Sequence, residues 1–252
     1  MDIQRLQEFQ LAVFSQTQCA ELTQRLLGVD AFWLTRHASL PFYTLGATNY
    51  YDITANPARP YESLAQKYNP FLLENFPDVY DAVLAALAER LQQAVVFLPG
   101  AAVPGFHIFA AHPAFEAADK QDIMHGAWFR QRDGGGFPGN PIHIDSAHLA
   151  LGLPAAVTTM SFTLAVAVPQ AGAGLKIWPL ASEHTQHLSE DEKLTLLHNT
   201  ASRQLNYRAG QLCVHSGDFY HQARGFPFQG EQYRITLQGH GAWLDGQWHI
   251  FW

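Results

Sequence analysis

The chain has little cysteine, little positive charge and no long apolar run, and each shortage removes a class of function. Of its 252 residues only Cys19 and Cys213 are cysteines, too few and too distant for a disulfide framework. Lysine and arginine number 15 against 22 acidic residues, a formal net charge of −7. A general nucleic-acid binder, or a protein that docks on anionic lipid, needs a cationic face, so neither partner is expected. No apolar run nears the roughly 20 residues that span a bilayer. The opening MDIQRLQEFQLAVF has no basic leader, apolar h-region or small-residue cleavage site, so a reducing cytoplasm is the expected location. Repeats and low-complexity tracts are also missing. Apolar residues, at 48%, suffice for a sizeable core, and 13 histidines exceed what such a core needs.

The length fits one domain over 1–252, with a mainly helical support in 1–100 and a β core in 101–252. Between Leu6 and Leu27 apolar residues recur at helical spacing, and a second helix is expected from Asp78 as N-cap. An aromatic, loop-like stretch runs from Phe32 to Pro60, broken by Pro41, Gly46 and Pro57. Beyond Gly100 the pattern turns to strands: Gly105 to Ala110, Val157 to Val168, Leu175 to Trp178, Gln211 to His215 and Tyr233 to Trp243. Asp245-Gly246 has the composition of a two-residue hairpin turn. One helix is expected in this half, opened by a Ser189/Glu192 capping box. The glycine-rich stretch Gly134 to Asn140 reads as a loop, because no helix pattern follows it to make a phosphate cradle. Helices followed by strands predict a mainly β fold with N-terminal helices: a jelly roll or β-sandwich.

Three separated pieces carry the chemistry. Residues i and i+2 of a strand share a face, so His143 and Asp145 present an imidazole and a carboxylate side by side. His221 adds a second nitrogen from a neighbouring strand. Two histidines and one carboxylate on one face of a metal leave positions open, the arrangement of non-haem Fe(II) oxygenases. Alone, His-x-Asp would be better explained as a surface loop pair within Pro141 to Ser146. Arg234 and Thr236, again i and i+2, change the balance: a guanidinium fork and a hydroxyl suit the far carboxylate of a 2-oxo diacid. His215 rivals His221 as the distal ligand but precedes the Ser216-Gly217-Asp218 turn. Lys176 rivals Arg234 but stands alone on its strand. His107, His112, His125 and His148 have no partner at ligand spacing, and Trp178, Phe226 and Phe228 read as packing. If Arg234 and Thr236 face a cavity, Gln238 and His240 face it too, as substrate-binding candidates. Trp248 and Trp252 either cover that cavity or pack on the helices.

His143-x-Asp145, the segment from Gly174 to Pro179, His221 and Arg234-x-Thr236 resemble, in order and spacing, the Fe(II)/2-oxoglutarate-dependent dioxygenases. The likeness runs from Pro104 to the C-terminus. The segments from Thr44 to Asp52 and from Pro104 to Phe109 are further similar to the subgroup of free-lysine radical halogenases and related free-amino-acid hydroxylases. The resemblance implies a double-stranded β-helix core, with Fe(II), 2-oxoglutarate and O2 as cofactor and cosubstrates. It implies His143, Asp145 and His221 as iron ligands and Arg234 with Thr236 as the 2-oxoglutarate anchor. Halogenases carry a small residue where this chain has Asp145, so hydroxylation of a small polar substrate, a free amino acid or a derivative, is expected. Hydroxylation of a protein side chain, and a non-enzymatic jelly roll that binds a metal or small ligand, are the alternatives.

Overall fold

A computed structural model describes residues 6–37, 41–54, 58–110, 142–170, 173–223 and 232–252. The stretch from Gly134 to Asn140, and His112, His125, Phe226 and Phe228, lie outside the described residues. The described fold is mainly β, with two sheets and supporting helices. The larger sheet runs in the order β1 (Phe9–Ala12), β9 (Gln211–Ser216), β6 (Thr159–Ala167), β11 (Tyr233–Leu244), β5 (Gly105–Ala110), β3 (Phe42–Leu45) and β2 (Leu34–Thr35). Every pairing along that path is antiparallel. β12 (Gln247–Phe251) joins it on β11 and pairs in parallel with β4 (Val95–Phe97). The smaller sheet holds β10 (Phe219–Ala223), β7 (Gly174–Ala181) and β8 (Arg203–Asn206).

The period-2 alternation of the central strands decides where the core lies and where the site lies. Phe106 and Ile108 of β5, Leu164 and Val166 of β6, Leu212 and Val214 of β9, and Ile235 and Leu237 of β11 all belong to one buried cluster. Helices α2 (Tyr61–Asn75) and α3 (Pro77–Leu91) contribute Leu72, Val79, Val83 and Leu87 to that cluster. Each such side chain stabilises the fold by about 1.5–3 kcal/mol when fully buried. The opposite face of the same strands carries His107, Ser161, Thr163, His215, Arg234 and Gln238, and it lines a cavity. One face is therefore a core, and the other a polar wall.

Several expectations shift. Residues 9–12 form β1 rather than helix, and helix α1 (Gln16–Leu27) starts only after Ser15, whose side chain makes a capping box with Gln18. β1 is short and pairs only with the edge of β9, so its fate is set by a long-range partner that local spacing cannot register. Helix α3 begins at Pro77, not after Asp78, because proline suits the first helical position. Asp78 instead sits in the first turn, 2.8 Å from Arg25 of α1. The stretch read as loop-like holds β2, β3 and a π-helical turn, Tyr50–Thr54. Besides the capped helix Glu190–Asn199, a four-residue helix, Ala147–Ala150, interrupts the second half, too short to leave a periodic signal. The Asp245-Gly246 turn has φ of 50° and 82°, and Trp243 pairs with Trp248 across it, as a type I′ hairpin requires.

Candidate active site

His143 does not lie on a strand. It forms an isolated antiparallel bridge with His221 of β10. Each backbone N–H donates to the other residue's carbonyl, at 3.0 and 2.9 Å. Two residues on, the Asp145 N–H donates to the Gly217 carbonyl at 3.2 Å, so the backbone at both positions is tied to the β9–β10 turn region. The side chains converge. His143 Nε2 is 3.5 Å from Asp145 Oδ1, and His221 Nε2 is 3.3 Å from Asp145 Oδ2. One ligand atom from each of the three lies within 4.8 Å of the others, the single such cluster found among the described residues.

The electrostatics leave the site ready for a cation. Burial alone would raise the Asp145 carboxyl, but the imidazoles of His221, His240 and His143 outweigh it and hold the group well below the usual carboxylate range. Burial pushes His221 down to about 3, against the pull of Asp145. The result is a carboxylate beside a neutral imidazole, the protonation state that metal ligands need. His221 Nδ1 lies 2.9 Å from the Phe219 carbonyl, so the proton sits on Nδ1 and the Nε2 lone pair faces Asp145. Two imidazole nitrogens and a carboxylate oxygen fit a non-haem ferrous ion.

His215 is buried on the cavity wall with its ring 4.6 Å from that of His221. Its Nδ1 pairs with the Ser216 carbonyl at 2.9 Å, and it is not a member of the three-residue cluster. Arg234 is buried and lines the same cavity, with its guanidinium 5.6 Å from the ring of Phe109 and 5.8 Å from that of Tyr207. Burial lowers its pKa, but a guanidinium remains charged at neutral pH. Thr236 is fully buried and accepts a hydrogen bond from Gln238 at 3.1 Å. It is not part of the cavity lining, whereas Gln238 and His240 are. Lys176 is half-exposed on β7, and its neighbour Leu175 takes the cavity side. Trp252 lines the cavity with its ring 5.0 Å from His107, while Trp248 belongs to the helix-covered core.

The cavity measures about 370 Å³. Residues that spacing did not single out also line it: Tyr50 of the π-helical turn, Asn49 just before it, Phe109, Ser161, Thr163 and Tyr207. The Tyr50 hydroxyl lies 3.3 Å from His107 Nε2. Burial takes His107 well below its ordinary pKa, helped by Arg234 and Arg36. The turn that carries Tyr50 is held by a buried ion pair: Arg36 grips both oxygens of Asp52 at 2.7 and 2.8 Å, and Asp52 accepts from the Thr48 N–H. One sequence signal for Ser161 and Thr163 was available, since hydroxyls alternate with Phe162 and Leu164 in an otherwise apolar strand.

No family model matches the chain, and no curated protein sequence matches it. Solved structures do. An N-substituted L-amino acid dioxygenase from Burkholderia ambifaria, in complex with alpha-ketoglutarate, superposes with a TM-score of 0.54 at 9% identity, covering 97% of this chain and 86% of that one. AviO1 from Streptomyces viridochromogenes gives 0.49 at 12% identity, covering 96% and 92%. The alpha ketoglutarate dependent carbocyclase SnoK from nogalamycin biosynthesis gives 0.48 at 11%, covering 97% and 92%. At these identities the finding concerns architecture: the chain shares the fold of the Burkholderia dioxygenase.

Proposed function

We propose that this chain is a non-haem Fe(II) oxygenase of the 2-oxoglutarate-dependent superfamily, a single domain on a double-stranded β-helix core, that hydroxylates a small polar molecule. The observation that carries this is the convergence of His143, Asp145 and His221 on the lining of a cavity that also holds the buried cation of Arg234. His143, Asp145 and His221 would hold Fe(II). Arg234 would anchor the far carboxylate of 2-oxoglutarate, with Thr236 supporting that strand through Gln238. Iron, 2-oxoglutarate and O2 together supply the oxidation that inserts a hydroxyl into a C–H bond, with release of succinate and carbon dioxide. The residues around them bind, orient and exclude water. Arg234 is buried away from solvent, which strengthens its grip on a carboxylate.

A cavity of about 370 Å³ lies at the small end of small-molecule sites, which favours a free amino acid or a derivative over a protein side chain. Gln238 and His240 are proposed to meet that substrate. The fold shared with an N-substituted L-amino acid dioxygenase is in keeping with this class, and a cytoplasmic location with the net charge and cysteine content. No helix of the described residues is long and apolar enough to cross a membrane.

The test is succinate formation by protein reconstituted anaerobically with Fe(II), then given 2-oxoglutarate, O2 and a panel of free and N-substituted amino acids. Stimulation by a panel member supports the reading, and His143→Ala, Asp145→Ala and His221→Ala should each abolish it and weaken iron binding. His215→Ala should keep iron. Loss of the metal in His215→Ala with retention in His221→Ala would reassign the ligand. A metal-binding protein without 2-oxoglutarate turnover would leave the jelly-roll binder as the better reading.

A further inference from the structure

Ser161 lies between two polar groups. Its Oγ is 2.5 Å from Asp145 Oδ2 and 3.1 Å from His240 Nδ1. Ser161 is buried in β6 between the apolar side chains of Met160 and Phe162. A carboxylate has no proton to give, so the hydroxyl donates to Asp145 and must then accept from His240. That order puts the imidazole proton on Nδ1 and leaves Nε2 as a bare lone pair. His240 lines the cavity, and its one hydrogen bond among the described residues is the contact to Ser161 through Nδ1.

We infer that Ser161 and His240 form a one-directional hydrogen-bond relay that positions the Asp145 carboxylate and presents His240 Nε2 to the cavity as an acceptor. The inference rests on the reading of Asp145 as a metal ligand. The backbone of Asp145 is fixed by its bond to Gly217, but its terminal torsion is a soft two-fold rotor. The Ser161 hydroxyl settles that rotor, and the His240 N–H keeps the hydroxyl from turning away. Ser161 is therefore a positioning residue. The substrate group that meets His240 Nε2 is a donor: an ammonium, an amide N–H or a hydroxyl.

Two measurements test this without turnover. Long-range ¹⁵N–¹H spectra of the metal-free protein should show His240 protonated on Nδ1 only; the Nε2–H tautomer would overturn the relay. Anaerobic titration with Co(II), followed by its visible absorption, reads the positioning. Ser161→Ala should bind Co(II) roughly tenfold more weakly, within the range seen when a ligand's own hydrogen-bond partner is lost. His240→Asn keeps an amide donor near the place of Nδ1 and should bind close to wild type, whereas His240→Leu should weaken. A wild type that binds Co(II), with Ser161→Ala binding it equally, overturns the relay alone. If the wild type binds none, or Asp145→Ala binds as the wild type does, the metal reading falls and the relay with it. Should Ser161→Ala prove unfolded, the contrast between His240→Asn and His240→Leu decides.

Discussion

At the scale of single residues, Arg234 and Asp145 carry the strongest expectations. Arg234 is a planar fork with the rings of Phe109 and Tyr207 at 5.6 and 5.8 Å. Burial, followed by the surrounding charges and hydrogen bonds, leaves the Tyr207 phenol raised to about 12, so that ring stays neutral beside the cation. Arg234→Lys keeps the charge but loses the planar fork. The KM for 2-oxoglutarate should rise roughly ten- to hundredfold, the worth of a charged hydrogen bond. If Lys176→Ala produces that rise and Arg234→Lys does not, the clamp lies on β7. For Asp145, the expectation concerns the product. The wild type should hydroxylate even in saturating chloride, because in the proposed ligand set the carboxylate would fill the position a halide needs. Asp145→Gly should bind iron more weakly and lose hydroxylation. Product masses for both proteins decide it: chlorinated product from the wild type, or undiminished hydroxylation by Asp145→Gly, removes Asp145 from the ligand set.

Among the elements, β5 shows how closely strands and chain end are fitted. A Cβ built on Gly105 would stand 2.1 Å from the Trp252 ring and 2.7 Å from the Leu45 carbonyl oxygen of β3. Trp252 is itself fixed: its N–H donates to the Ala102 carbonyl, and its own carbonyl accepts from the Tyr61 hydroxyl at 2.6 Å. Neither neighbour can retreat cheaply, so Gly105→Ala should cost about 1–3 kcal/mol, the usual range for overpacking. A thermal melt against wild type checks this, and an unchanged Tm would mean that Trp252 is looser than its contacts imply. Elements of this kind mark the boundary of what the sequence discloses. β5 was legible with its full bounds, because Gly105 to Ala110 is a run of β-formers behind Pro104. The alternation of β11, Ile235 and Leu237 inward against Arg234 and Gln238 outward, was legible for the same local reason. β1, the parallel β4–β12 pairing and the seat of Trp252 were not, since each depends on a partner distant in the chain. Ser161 was visible only as a hydroxyl in an apolar strand, with nothing local to say that Asp145 would meet it.

Across the whole molecule, the buried imidazoles set the response to acid. His107, His215, His221 and His240 all have pKa values below their ordinary value, burial being the largest cause in each. A histidine lowered in the folded state binds its proton more readily once unfolded, so the unfolded chain takes up more protons as pH falls below about 6.5. Asp145, lowered in the folded state, adds stability above its unfolded pKa and loses it at still lower pH. Both signs agree. The metal-free protein should be most stable above pH 7 and lose up to about 1.4 kcal/mol per pH unit per buried histidine below 6.5. Urea denaturation of the metal-free protein at pH 7.5, 6.5 and 5.5 measures that slope, and a flat profile would mean that these imidazoles titrate alike in the folded and unfolded chain.

The reciprocal backbone bonds between His143 and His221 make the distance between two proposed ligands a matter of backbone pairing and not of side-chain choice. Ligand geometry is then inherited from folding and does not have to be created by the ion. Chelation should consequently strip the metal and leave a cooperatively folded protein, unlike small zinc modules whose fold is the bound state. Circular dichroism after chelation should match the untreated protein, and full Co(II) binding should return on simple addition, with no denaturation step between. Added metal should raise Tm only by mass action, in proportion to the logarithm of its concentration over Kd. A chelated protein that loses its cooperative melt would show instead that the ion holds the two paired segments together. The structure predicts that the backbone pairing holds the place for the ion.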